Sequence, residues 1–319
     1  MSVVVRLLLR RILALVPLLL GVILLVFVVM QISGTDPAMA AFDGANPTPA
    51  QIEAFRHANG LDQPLPVRYV RFVWELLHGD FGYSVLNHQP VSASILAAWP
   101  LTAWLTLFGV TTALVIAVPL GILSALFRDR WPDHLIRMVS LGGVTAPSFW
   151  IALLMIQWLA VNLGLFPTGG YVSPGDDLVG WLQSLTLPTL ALAIPAAAQM
   201  TRIIRASVIE ELDLDYVRTA RGGGLPPLVV VGRNVLRNAL VTPLTVLGLR
   251  VGYLLGGAVV IETVFSLPGM GQNLIQAVQN GDTSVVQGFV IIIALGFALV
   301  NLLVDVLYLI ANPRLRSNR

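Results

Sequence analysis

Two residue types are missing from this chain: it has no cysteine and no lysine, so all 19 basic side chains are arginine. The first absence excludes a disulfide framework and leaves the redox compartment unmarked. The second excludes a conventional phosphate-binding loop, whose G-x-x-x-x-G-K-[S/T] pattern needs a lysine to reach the terminal phosphates. Charge is scarce as well. Charged residues are 11% of 319 positions and hydrophobic ones 56%, with a mean hydropathy of +0.81, outside the range of a soluble globular domain.

What the chain has instead is length without charge. Uncharged stretches cover Ile12–Thr35, Trp99–Phe127, Met138–Gly175, Leu178–Thr201 and Thr283–Val304, and Leu240–Glu262 is interrupted only by Arg250. A helix needs about 20 mostly apolar residues to cross the hydrocarbon core. Six spans are therefore expected, over residues 9–32, 99–127, 138–163, 184–201, 240–262 and 287–311. The fold class is an all-α polytopic membrane protein. The first span is expected to be retained, because its apolar run exceeds a signal-peptide core and no A-x-A pattern follows closely.

Arginine placement orients these helices, since cytoplasmic loops carry the excess of basic residues. Arg6, Arg10 and Arg11 precede the first span, and Arg128, Arg130 and Arg137 lie in 128–137. Six more lie in 202–239, and Arg314, Arg316 and Arg319 end the chain. The opposite side holds only Arg56, Arg68 and Arg71. Residues 1–8 and 312–319 are thus expected in the cytoplasm, with 33–98, 164–183 and 263–286 on the far side.

One basic segment has more pattern than a solvated loop requires: DYVRTARGGGLPPLVVVGRNVLRNALVTP, residues 215–243. Glu210, Glu211, Asp213 and Asp215 lead and Arg218 and Arg221 trail, the order a helix dipole favours. Gly222–Gly224 stop that helix, since glycine costs ~1 kcal/mol in a helix interior. Pro226 and Pro227 suit the start of the next one, where a missing N–H is harmless. The spacing predicts a short helix, a sharp turn and a second helix, a shape suited to a peg for a partner.

At these residues the chain resembles permease subunits of ATP-binding-cassette importers, in the dipeptide/oligopeptide/nickel subfamily. Tyr216, Val217, Thr219, Ala220, Arg221, Gly224 and Leu225, then Leu236–Leu240 and Pro243, match the subfamily's "EAA" coupling loop. RRILALVPLLLGVILLVFVV, GLDQPLPVRYVRFVWELLHGDFGYS, RDRWPDHLIR, VTAPSFWIALLM, GGAVVIETVFSLPGMGQ and VNLLVDVLYLIANPRLR are similar to other parts of such chains, so nearly the whole sequence is covered. Two departures stand out. Gly222-Gly223-Gly224 replaces small-Lys-Gly, which would loosen the end of the coupling helix, and the I-x-LP ending is missing.

The resemblance implies a type I importer permease fold with a small helical insertion between the first two spans. It implies a second homologous permease, two ATPase domains or subunits and an extracytoplasmic substrate-binding protein as partners, beside the lipid bilayer, with no nucleic acid. No cofactor is expected on this chain and no catalytic residue. ATP and Mg2+ would be used by the ATPase partners. Short peptides are the expected cargo, with nickel or a metal chelate as the alternative and a self-sufficient channel or membrane enzyme as the reading from another class. No metal site is expected: His57, His78 and His88 lie in the external region 33–98 and His134 in the loop 128–137, and no cluster of His, Cys or carboxylates converges inside the membrane.

Within the membrane, Gly248, Gly252 and Gly256 recur at four-residue spacing and present a small face, for packing within the chain or against a second permease. Arg250 lies roughly 200° round the helix from Gly248. An arginine in a bilayer needs a counter-charge or an aqueous cavity. It can pair with Asp305 at a similar depth or face the pathway. Glu262 with the Pro268-Gly269 turn is either an external gate, as the resemblance implies, or a plain interfacial carboxylate. In 33–98, Thr48-Pro49-Ala50-Gln51 carries the pieces of a capping box, ending at Asn59-Gly60. A second helix over Pro66–His78 would turn Tyr69, Val73, Leu76 and Leu77 to one face, a cap for the binding protein or a helix on the lipid surface.

Overall fold

The computed structural model describes residues 3–32, 37–40, 42 and 47–311, and side chains at 3–10, 37, 40, 249, 305 and 307–311 lie outside that description. The described residues are helical and contain no strand beyond an isolated bridge between Tyr83 and Pro90. In order they form α1 (Val3–Ile32), α2 (Pro37–Ala40), α3 (Pro49–Ala58), α4 (Leu65–Leu77), α5 (Val91–Leu126), α6 (Trp131–Thr145) and α7 (Ser148–Met155), which a π-helical turn extends through Asn162. Then come α8 (Leu178–Leu212), α9 (Asp215–Gly222), α10 (Pro227–Val229), a π turn (Val230–Val235), α11 (Leu236–Ala239), α12 (Val241–Val264), α13 (Met270–Gln279) and α14 (Thr283–Ala311).

Four of these helices are long and apolar enough to cross a membrane, and the number reaches six when two bent pairs each count as one span. Both bends were invisible in the composition. Where one continuous helix is expected over 138–163, α6 and α7 meet at 101°. The cause is Pro147. It lacks an N–H to donate and pushes Ala146 into an extended conformation, φ −76° and ψ 123°. The second bend, of 43°, separates Pro227–Gly248 from Arg250–Val264. By contrast α5 passes through Pro100 and begins at Val91, well before the expected start at Trp99.

The chain divides into two compact units. One comprises Met1–Leu9, Ala103–Leu267 and Leu299–Arg319. Its axis is α8, on which α6, α7 and α12 pack. Small residues allow the close approach. A Cβ on Gly121 would stand 2.7 Å from Ile204 Cγ2, and one on Gly143 would stand 2.8 Å from the Ala198 Cβ. Without hydrophobic drive between helices in lipid, such backbone proximity is what makes van der Waals contact extensive. The core runs from Ala113 and Ala117 through Ala197, Met200, Ile204 and Val208 to Val217, Val230 and Val235.

The other unit comprises Arg10–Thr102 and Pro268–Ala298. Its core joins Val91, Ile95 and Ala98 to Met270, Ala277, Val285, Val286 and Phe289. Ser84 Oγ donates to the buried Asp282 carboxylate at 2.6 Å, and the other Asp282 oxygen accepts Val285 N–H at the start of α14. The predicted capping box forms: Gln51 N–H reaches Thr48 Oγ1, and Thr48 N–H reaches Gln51 Oε1 at 2.8 Å. Leu77 departs from its expected place, since Tyr69, Phe72, Val73 and Leu76 turn inward while Leu77 is exposed.

Candidate functional site

The peg is α9 together with the turn and short helices up to Ala239. Asp215–Gly222 gives only two turns, too short to persist alone, so its stability must come from anchorage. Val217 supplies it, fully buried among Val208, Val230 and Val235, with Ala220 packed on the same cluster. A polar clasp reinforces the base. Tyr216 O–H donates to Glu211 Oε1 at 2.6 Å, and Asn238 Nδ2 donates to the same oxygen at 3.0 Å, tying the end of α8 to α9 and α11. Thr219 Oγ1 donates back to Asp215 O at 3.0 Å.

The glycine run closes α9 and does not loosen it. Leu225 N–H reaches Ala220 O at 3.3 Å and Gly224 N–H reaches Arg221 O at 3.0 Å, with Gly224 at φ +78°. That is a Schellman closure, in which one residue must be left-handed. Only Gly224 meets that demand. Gly222 is helical and has open space where a Cβ would sit. Arg218, Thr219, Arg221 and Leu225 remain exposed, and Leu228 is 87% exposed. The base of the peg is thus fixed, and its tip is bare and partly apolar.

Behind the peg stands a cluster that sequence reading missed. Asp133 in α6 is fully buried and meets Arg205 of α8 in a fork: Nε to Oδ1 at 2.7 Å and Nη2 to Oδ2 at 2.6 Å. Ser124 Oγ from α5 donates to Oδ1 at 2.5 Å, and Asp129 N–H donates to Oδ2 at 3.0 Å. Every acceptor direction of the carboxylate is used, so the buried charge is compensated. Nearby, Arg128 Nη1 reaches Asp213 Oδ2 at 3.0 Å, linking the α5–α6 turn to the residue after α8. The signal for it in the sequence is thin. Asp133 sits among the arginines of 128–137, and Arg205 is one basic residue among six in 202–239.

The other predicted residues are less convergent. Gly248 faces α14, where its Cβ would stand 3.1 Å from Val304 Cγ1, whereas Gly252 is half-buried and Gly256 has open space. Arg250 lays its guanidinium 5.1 Å from the Tyr253 ring centroid, and its buried Nε has no hydrogen-bond partner among the described residues. The Asp305 side chain lies outside the described residues, and with it the expected pair. Glu262 is fully buried, near the end of the first unit's Ala103–Leu267 segment. There Phe265 O accepts Gly170 N–H at 2.9 Å, and a Cβ on Gly169 would come within 2.6 Å of the same oxygen. Pro268 and Gly269 begin the Pro268–Ala298 segment of the second unit, where Met270 N–H donates to Thr102 Oγ1 at 2.9 Å.

A cavity of about 570 Å³ lies in that second unit between α1, α3, α4 and the 80–88 segment, with Arg68, Asp80 and His88 on its wall. No group of three metal-ligating side chains occurs among the described residues.

The fold is that of a type I importer permease. A chain from inward-facing crystals of the MetNI methionine ABC transporter matches it with a TM-score of 0.56 at 18% identity, covering 68% of this chain and 96% of that one. The chain belongs to the binding-protein-dependent transport system inner membrane component family, which matches residues 117–317, and the family's N-terminal membrane component matches 4–106. A Brucella abortus (strain 2308) protein provisionally named a peptide transport system permease is 41% identical over 311 residues, 97% of this chain and 98% of its own. The glutathione transport system permease GsiC of Pectobacterium atrosepticum is 39% identical over 307 residues, 96% of this chain and 97% of its own.

Proposed function

We propose that the chain is one of two non-identical permeases in a peptide importer. Each would form half of the pathway, an extracytoplasmic binding protein would deliver cargo, and separate subunits would hydrolyse ATP. The observation that carries this is the peg: α9, a two-turn helix fixed at its base by buried Val217, leaves Arg218 and Arg221 bare, and the segment after it leaves Leu225 and Leu228 bare. Arginine bias favours the cytoplasm for that surface and for both termini. The names of the Brucella and Pectobacterium relatives favour short peptides as cargo.

In this reading ATP-driven closure of the ATPase pair displaces α9. The motion passes along α8 and, through the Asp133–Arg205 fork, into α5 and α6. Packed helices carry such a displacement as a rigid-body or shear motion. Arg250 is assigned to the aqueous path, Glu262 to the external gate, and the open Gly256 end of α12 to the second permease. Replacing Thr219–Leu225 with a flexible linker of equal length tests the proposal. ATPase subunits should no longer co-purify and uptake should stop. Retained co-purification with normal uptake, or peptide flux through the reconstituted chain alone, would overturn it.

A further inference from the structure

The helix α4 carries more apolar surface than its protein contacts use. At about 100° per residue, its side chains divide into three sectors. Tyr69, Phe72, Val73 and Leu76 turn inward. Arg68, Arg71, Glu75 and His78 form a polar sector, the first three of them on the cavity wall. Between these lies a stripe spanning an arc of about 80°: Val67, Val70, Trp74 and Leu77, exposed by 50%, 66%, 64% and 76%. A helix docked on a protein core alone needs one apolar face and one polar face. Here a second apolar face remains.

The position of α4 says what covers it. Phe27 of α1 stacks on Phe72 at 6.0 Å and meets Tyr69 edge-on at 5.5 Å. Tyr69 O–H donates to Leu20 O at 3.2 Å, and Arg68 Nη1 donates to Gln31 Oε1 at 3.1 Å. Leu20 lies about 18 Å below Ile32 along α1, at 1.5 Å per residue. It is near the middle of the apolar segment Arg11–Ile32, which is long enough to cross a membrane. So α4 leans on the membrane-crossing part of α1, not above it. Beside it α1 exposes Leu24, Leu25, Val28 and Val29. The stripe extends a surface already committed to lipid.

We infer that α4 is an interfacial helix whose Val67–Val70–Trp74–Leu77 stripe is sunk in the leaflet at the Gln31 end of α1, with acyl chains as its partner. An amphipathic helix of this kind buries its apolar face to the headgroup boundary. Trp74 sits where tryptophan is favoured, and Arg68 lifts its charge toward Gln31 while its stem stays low. This assigns the insertion an anchoring role and leaves the polar sector and cavity clear of the bilayer. It goes beyond the cargo reading and does not depend on it.

The absence of cysteine makes the test direct. A nitroxide placed by Val70→Cys in the full chain, in vesicles of phosphatidylethanolamine and phosphatidylglycerol, should collide more often with oxygen than with a polar nickel chelate. His78→Cys should show the reverse. A Val70 label that favours the chelate, or is shielded from both reagents, would overturn the inference. Should Val70→Cys not fold, Trp74→Phe serves instead. Brominated lipid should quench wild-type fluorescence more than that of the variant, and equal quenching would contradict lipid contact.

Discussion

Arg205 of α8 grips the fully buried Asp133 of α6 through both carboxylate oxygens, at 2.7 and 2.6 Å. Removing one partner of a buried pair strands the other and costs about 3–5 kcal/mol, whereas replacing both with apolar residues is often neutral. Asp133→Asn and Arg205→Met should each lower the Tm of the purified chain. The double variant Asp133→Leu/Arg205→Met should recover much of the loss in a double-mutant cycle. If the fork also transmits motion, an importer assembled with the double variant will still hydrolyse ATP at its ATPase subunits but with reduced uptake. Normal uptake would remove it from the force path.

The Schellman closure of α9 separates the roles of three adjacent glycines. Gly222→Ala, with open space at its Cβ, should stabilise α9 by about 0.5–1 kcal/mol. Gly224→Ala forces a side chain onto φ +78° and should destabilise by at least as much. Limited proteolysis at 215–228 reads both, as slower and faster cleavage.

On α12 the two ends of the glycine series should behave differently. Gly248→Leu must displace Val304, and overpacking of this kind costs about 1–3 kcal/mol. A Cβ at Gly256 meets nothing within 4 Å among the described residues, so Gly256→Leu should leave thermal unfolding nearly unchanged. Loss of the second permease on co-purification from Gly256→Leu, with stability intact, would fit the assigned contact. Retention would reassign that face.

Arg250→Gln removes a charge whose Nε has no hydrogen-bond partner among the described residues. With the residue on the aqueous path, uptake should fall while expression holds. A parallel fall in both would instead fit a structural pair with Asp305.

Much of this architecture was legible from two elementary signals. Apolar length set out the spans, and the acids-first, glycine-last order around Arg218 and Arg221 marked α9. The capping box at Thr48 was legible because it is local. What escaped depended on distant partners. Pro147 could be read as a helix tolerating proline or as a break, and only the packing of α6 and α7 on α8 decides for 101°. Asp133 and Arg205 are 72 residues apart, so nothing in either neighbourhood announces the fork. Leu77 kept helical spacing with the inward face of α4 yet points elsewhere, because the second apolar sector answers to a partner outside the chain.

With α9 as a rigid peg seated on an ATPase subunit, a single probe on its tip reads the seating itself. With no native cysteine, Arg221→Cys carries one label or cross-linker in the assembled importer. The label should be immobilised, and a cross-link to the ATPase should form and block uptake. A label as mobile in the complex as in the isolated chain, with no cross-linked product, would contradict that seating.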